Sequence, residues 1–218
     1  MTFRIVFDLD GTLIDSAPHI HHAANQGLAA HGLDQITLDQ ARSFVGRGLP
    51  VFIERARAAL ELPEDMQAPL EASVLDFYEG AAHLNTPYPN VVAVLEKLAG
   101  RGDRLGICTN KPIGPTRTVL NHLGLSQMFG VILGGDSMEV RKPDPAPLVA
   151  AFDALGSAPQ IYVGDSEVDA ETAKRARVPF LLFTEGYRSV PVEDLPHAAP
   201  FSDFDALPGL IAKHAKKG

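Results

Sequence analysis

Apolar and polar positions along the chain fall into two rhythms. Unbroken apolar runs recur at "FRIVF" (3–7), "RLGIC" (104–108), "GVILG" (130–134), "QIYVG" (160–164) and "PFLLF" (179–183), each closed by a polar or glycine-containing break. Such continuous, partly β-branched runs predict strands buried on both faces of a parallel sheet, because a strand with one wet face would alternate. Between the last four runs the apolar residues return at helical spacing, in "PTRTVLNHLGL" (115–125), "PAPLVAAFDALG" (145–156) and "DAETAKRARV" (169–178). Strands alternating with helices predict a doubly wound, Rossmann-like α/β core, which places ligand groups at the carboxyl ends of its strands.

The interval 17–83 breaks this alternation. "SAPHIHHAANQGLAAHG" begins with Ser16 as an N-cap and Pro18 in the first turn, Thr37 caps "LDQARSF", and "LPVFIERARAALE" and "MQAPLEASVLDFYEGAA" follow, with no convincing strand among them. The expected organisation is therefore an α/β core from 1–16 and 85–218, with an all-helical subdomain inserted at 17–84. The turn formers of "IDSAP" and "NTPYPN" mark the outgoing and returning hinges. Within the insert, "ERARAALE" reads as a solvated helix face with i,i+4 pairing. After Gly186 the pattern weakens into an irregular crossing and a short terminal helix, and the basic "KHAKKG" end reads as a solvated tail.

Composition narrows the partners. The 218 residues carry a formal net charge of -8, which argues against nucleic acid or an anionic membrane as a partner, since both require basic surface. No stretch approaches the ~18 apolar residues of a membrane span, and the amino terminus lacks the basic start and long apolar segment of an export signal. A cytoplasmic protein acting on a small molecule is the expectation, with homo-oligomerisation left open. The single cysteine, Cys108, excludes an intrachain disulfide, and its apolar neighbours predict an inert packed thiol.

Against that background the charged residues at the strand ends stand out. The first strand runs into "DLDG", where Asp8 and Asp10 project to the same side if the strand persists between them. Two adjacent carboxylates repel unless a divalent cation joins them, and hard oxygen ligands suit Mg²⁺. A second pair, Asp165 and Asp169 in "GDSEVDAE", is spaced to share one face of a helical turn, although Asp169 also suits a helix cap. Thr109, Asn110 and Lys111 end the "RLGICTN" strand, and Lys142 lies in "RKPDP"; hydroxyl, amide and ammonium groups so placed can hold phosphate oxygens. In the insert, Arg47 between Gly46 and Gly48 is suited to fork onto a substrate carboxylate, or else is an exposed turn arginine. His19, His21 and His22 read as a solvated or hinge-facing cluster in preference to a metal site.

Taken in order, "DLDGT", a hydroxyl residue ending a second strand, a lysine before proline, and "GDSEVD" resemble the four motifs of the haloacid dehalogenase superfamily of phosphohydrolases. The resemblance extends over essentially the whole chain, because the helical insert looks like that superfamily's first-position cap. "TNKP" with "GGD" is similar to phosphoglycolate phosphatases in particular. The resemblance implies a Mg²⁺-dependent phosphomonoesterase acting on 2-phosphoglycolate or a similar small acid phosphate. It implies that Asp8 attacks phosphorus to form an aspartyl phosphate, and that Asp10 protonates the leaving alkoxide and then activates water. Mg²⁺ would be held by the Asp8 carboxylate, the Asp10 carbonyl and Asp165. Thr109 and Lys142 would bind the phosphoryl group with Asn110 and Lys111 nearby, while Asp169 orients a metal water or Lys142. A phosphatase or mutase for another small phosphate uses the same core, as does a 2-haloacid dehalogenase, though that chemistry needs neither Mg²⁺ nor the second carboxylate. A receiver-type phosphoacceptor domain shares the acidic residues, Thr and Lys, but is opposed by the insert and by Asp10.

Overall fold

A computed structural model describes residues 2–78 and 80–215; the end of the basic tail, 216–218, lies outside them. In chain order the elements are β1 (Arg4–Phe7), β2 (Ile14–Asp15), α1 (Ala17–Ala30), α2 (Leu38–Phe44), α3 (Leu49–Ala59), α4 (Gln67–Tyr78), β3 (Thr86–Pro87) and α5 (Val91–Gly100). The second half continues with β4 (Arg104–Cys108), α6 (Ile113–His122), β5 (Phe129–Leu133), α7 (Ala146–Ala154), β6 (Gln160–Gly164), α8 (Glu167–Ala176), β7 (Phe180–Phe183), β8 (Ala199–Phe201) and α9 (Leu207–His214). Six strands form one sheet in the order β5-β4-β1-β6-β7-β8, and every neighbouring pair is parallel.

The sheet is buried on both faces, which is why its strands carry unbroken apolar runs. Ile5 and Phe7 of β1 face a cluster with Leu95, Leu98, Leu120, Leu207 and Ile211 from α5, α6 and α9. Val6, between them, faces Leu148, Phe152, Ala170 and Ala173 from α7 and α8 on the other side. The five expected strands are present, and β8 and α5 are additional. β8 carries Pro200, which lacks the ladder N–H and reads as a strand breaker, yet sits acceptably on the sheet's edge. α5 follows Asn90, a residue type suited to a helix cap, but here its backbone is left-handed and its side chain makes no capping bond.

Helices α1–α4 enclose an apolar cluster of their own, including Ile20, Leu28, Phe52, Leu70 and Val74. The chain leaves the core through β2 and returns through β3, and these two strands pair antiparallel with Ile14 opposite Pro87. Thr37 caps α2 in a reciprocal box with Gln40, as expected. Ser16 does not cap α1: its hydroxyl has no partner, and the Ala17 amide donates instead to the Tyr187 hydroxyl at 2.9 Å and to Asp15 at 3.3 Å. The arginines of "ERARAALE" also depart from expectation. Arg55 donates to the Ser43 and Phe44 carbonyls, and Arg57 to Gln67 and the Pro63 carbonyl; these neighbouring segments offer carbonyl acceptors that outcompete exposed i,i+4 pairs.

Candidate active site

The chemistry-bearing side chains meet at the carboxyl ends of β1, β4 and β6, under the helical cap. The β1 ladder extends one residue beyond the strand, with the Asp8 amide donating to the Val163 carbonyl at 2.9 Å. Leu9 then enters the core, and Asp10 makes only an isolated bridge to Ile14. Asp8 and Asp10 line one cavity: Ile5, Phe7 and Leu9 all enter the same core cluster, so the strand's alternation continues past its last ladder residue and sends both carboxylates to the other side before the chain turns at Gly11. Each meets a different cation. The Asp8 carboxylate lies 3.0 Å from Lys142, whereas Asp10 receives the Lys111 ammonium at 3.0 and 3.2 Å.

Lys142 is the hub of the buried charges. Its ammonium donates to Asp169 at 2.7 Å and to the Tyr162 hydroxyl at 2.9 Å, besides its contact with Asp8. Burial by itself would lower its pKa, but Asp169 and Asp8 together hold it well above the ordinary lysine value. Burial would likewise raise the Asp169 carboxyl, yet Lys142 and hydrogen bonds from Ser166 and Tyr162 hold it below the ordinary range.

Asp169 has two jobs, one on each oxygen. One oxygen takes Lys142 and Tyr162, while the other takes the Ser166 amide at 3.1 Å and hydroxyl at 2.6 Å in the capping box that starts α8. Asp165 lies before the cap residue, outside the helix, so the two do not share a helical face as their spacing suggested. It reaches the same centre from the end of β6. Thr12 donates to one of its oxygens at 2.6 Å and the Tyr187 amide to the other at 2.7 Å. The carboxylate fits against Gly11 and Gly186, where an added Cβ would stand 2.6 and 2.3 Å from its oxygen.

Asp8, Asp165 and Asp169 each bring an oxygen within 4.8 Å of the others. Burial first, then the neighbouring carboxylates, pushes the carboxyls of Asp8 and Asp165 upward. One buried Asp8 oxygen has no hydrogen bond of acceptable geometry, even with Lys142 at 3.0 Å. A buried set of hard oxygens with an unsatisfied acceptor fits a divalent cation. Of the three, Asp169 is committed to the Lys142 ammonium and to the α8 capping box, whereas Asp165 meets only the neutral Thr12 hydroxyl and Tyr187 amide, which makes Asp8 and Asp165 the better donors; the Asp10 carboxylate is not in the group.

Thr109 and Asn110, both buried, continue from β4 into the cavity wall. The Asn110 amide donates to the Gly46 carbonyl of the cap at 3.1 Å and to the Lys142 carbonyl at 3.0 Å, while its own buried oxygen has no partner. The "GGD" glycines are explained by proximity: a Cβ on Gly135 would lie 2.3 Å from the Asn110 carbonyl oxygen.

In the cap the structure chooses between alternatives that the sequence left open: Arg47 is the exposed turn arginine, and the histidines are solvated or hinge-facing one by one and not as a cluster. Arg47 is exposed and does not line the cavity; Gly46 and Gly48, with φ of 122° and 86°, line it with their backbone, and the turn they make leaves the arginine outside. The three histidines separate. His22 is exposed and His21 bonds to the Ile36 carbonyl, while His19 is buried at the hinge between the Tyr78 carbonyl and Asn85. Conversely, Tyr162, Tyr187, Thr12 and Ser166 hold the acidic residues in place and were not singled out from sequence. Tyr162 reads as one more apolar strand residue, and Tyr187 falls in weakly patterned chain. Cys108 is buried and its thiol is pushed up to about 12, first by burial, in keeping with an inert packing role.

This fold and site define a class. The chain matches the family of haloacid dehalogenase-like hydrolases over residues 5–183, and it belongs to that family. Its relatives narrow the kind of hydrolase. It is 49% identical over 212 residues to a phosphoglycolate phosphatase of Cereibacter sphaeroides, covering 96% of this chain and 97% of the relative. It is 45% identical over 216 residues to that of Rhodobacter capsulatus, covering 97% of each. A solved structure of a predicted phosphoglycolate phosphatase from Haemophilus somnus superposes with a TM-score of 0.88 at 30% identity, covering 95% of this chain and 96% of that one. The chain is a phosphoric monoester hydrolase of this family. Among the described residues no helix is long and apolar enough to cross a membrane.

Proposed function

We propose that this hydrolase converts 2-phosphoglycolate to glycolate and inorganic phosphate through an aspartyl phosphate. The observation that carries the reading is the buried Asp8–Lys142–Asp169 contact beside Asp165, with Asp8 opening onto a cavity roofed by the cap. Asp8 attacks phosphorus, the ester P–O bond breaks, and the departing glycolate oxygen takes a proton from Asp10. Asp10 then removes a proton from water as that water attacks the acyl phosphate, releasing phosphate and restoring Asp8; one group serves as acid and then as base. Thr109 donates to the phosphoryl oxygens and Lys142 balances their charge, with Asp169 fixing the ammonium. Residues 17–84 act as a cap that closes about the β2–β3 ribbon and excludes water. Mg²⁺, held by the Asp8 carboxylate, the Asp10 carbonyl and Asp165, would offset the repulsion between nucleophile and phosphate.

The test is phosphate release from a panel of small monoesters with and without Mg²⁺. Hydrolysis of 2-phosphoglycolate should vanish in EDTA, return with Mg²⁺, and be absent in a folded Asp8→Asn variant. Full turnover in a chelated sample, or by Asp8→Asn, would overturn the mechanism.

A further inference from the structure

The cavity has two unlike halves. Its core wall carries Asp8, Asp10, Thr109, Asn110 and Lys111, whereas the cap contributes Ile20, Val45, Leu49, Phe52 and Tyr78, none of them charged. An organic acid bound there must bury its carboxylate against the cap side, where no cap cation waits. Leaving that charge unpaired would cost more than the binding of so small a molecule can supply. Arg47, the cationic cap residue singled out from sequence, is exposed and outside the lining.

Among the described residues that line the cavity, Lys111 is the one cation. Its side chain is 1% exposed, and the ammonium touches both Asp10 oxygens at 3.0 and 3.2 Å. On another side it lies 4.8 Å from the centre of the Tyr78 ring. An ammonium has three donors. Asp10 occupies one side of this one, and toward Tyr78 it meets a π face, a weaker partner than a carboxylate. Lys142 is not available for the same task, because its contacts go to Asp8, Asp169 and Tyr162.

We propose that Lys111 is the residue that selects substrates bearing a carboxylate next to the phosphate ester, by receiving that carboxylate from the cavity it lines between Asp10 and Tyr78. The inference rests on the phosphoglycolate reading of this site. In 2-phosphoglycolate one methylene separates the ester oxygen from the carboxylate carbon. An ester oxygen placed to take its proton from Asp10 therefore brings the carboxylate to the cation that Asp10 already touches. The same lysine thus joins leaving-group protonation to substrate choice.

The experiment compares 2-phosphoglycolate with ethyl phosphate, which has a methyl where the former has its carboxylate, in the wild type and in Lys111→Met, Lys111→Gln, Lys111→Arg and Arg47→Ala variants of the full chain. Because Lys111 also contacts Asp10, every Lys111 variant loses some turnover on both substrates; the measured quantity is the ratio of kcat/KM values within each protein. In Lys111→Met that ratio should shift about 10- to 100-fold against 2-phosphoglycolate, mostly through KM. Lys111→Arg should recover part of it, and inhibition by inorganic phosphate should stay within about threefold of the wild type. Should Lys111→Met fail to fold, Lys111→Gln supplies the same reading. An unchanged ratio would show that Lys111 serves Asp10 alone, and a selective loss in Arg47→Ala would return the carboxylate to the arginine; either overturns the assignment. A wild type with no preference for 2-phosphoglycolate would overturn the substrate reading before any variant is compared, and so is distinguishable from failure of the Lys111 assignment.

Discussion

His19 stands at the start of α1, wholly buried, with both ring nitrogens occupied. One nitrogen donates to the Tyr78 carbonyl at 2.7 Å, so the other must accept, and it takes the Asn85 amide at 3.0 Å. This arrangement fixes the neutral tautomer. Burial, then the nearby Lys111 charge, lowers the imidazole from 6.5 to about 4. The unfolded chain thus binds a proton that the folded chain refuses. Stability is whole above the unfolded value and is lost as the pH falls through 6.5 toward about 4. Between pH 7 and pH 5 this one group should remove about 2 kcal/mol, out of a total that is commonly about 5–15. The assay is urea denaturation at several pH values for the wild type and for His19→Gln, which titrates nothing at this position. Other groups contribute to both proteins and cancel in the comparison. The wild type should lose about 2 kcal/mol more than the variant over that interval. Parallel pH profiles, or an imidazole in the folded protein that titrates near 6.5 by NMR, would refute the reasoning.

In Asp10→Asn, steady-state turnover should fall by about 10²–10⁴ while a substrate with a good leaving group still loads the protein with phosphate, detectable by mass spectrometry after acid quench; wild-type turnover would contradict its acid–base role. Gly11→Ala forces a side chain onto a residue with φ of 83° and sets a Cβ 2.6 Å from Asp165 and 2.8 Å from Tyr187. It should cost about 1–3 kcal/mol in denaturation, and the Mg²⁺ concentration for half-maximal activity should rise about tenfold; an unchanged Mg²⁺ dependence would separate Gly11 from the metal site.

Much of this protein is local in origin and was open to reading along the chain. A strand buried on both faces must be apolar at every position, so the five central strands declare themselves whatever their partners. The helical insert likewise follows from a change of period after Ser16. The candidate chemistry was legible for a related reason: a doubly wound sheet delivers strand ends to one edge, and Asp8, Thr109 and Asp165 all follow apolar runs. Pairing is another matter. Which lysine meets which carboxylate depends on the strand order β4-β1-β6 and on the loops after β4 and β5 that carry Lys111 and Lys142, and neither leaves a periodic trace. Tertiary structure alone gave Asp10 to Lys111 and Asp8 to Lys142, and it decided that Asp169, for which the resemblance implied either a metal water or Lys142, meets Lys142. It placed Arg47 outside the cavity, because two neighbouring glycine conformations decide where that side chain goes. It also recruited Tyr187 from weakly patterned chain to hold Asp165 with its amide and the α1 terminus with its hydroxyl. Hydrophobic pattern is a property of each segment in water, whereas buried charges settle only against the partners that the assembled fold supplies.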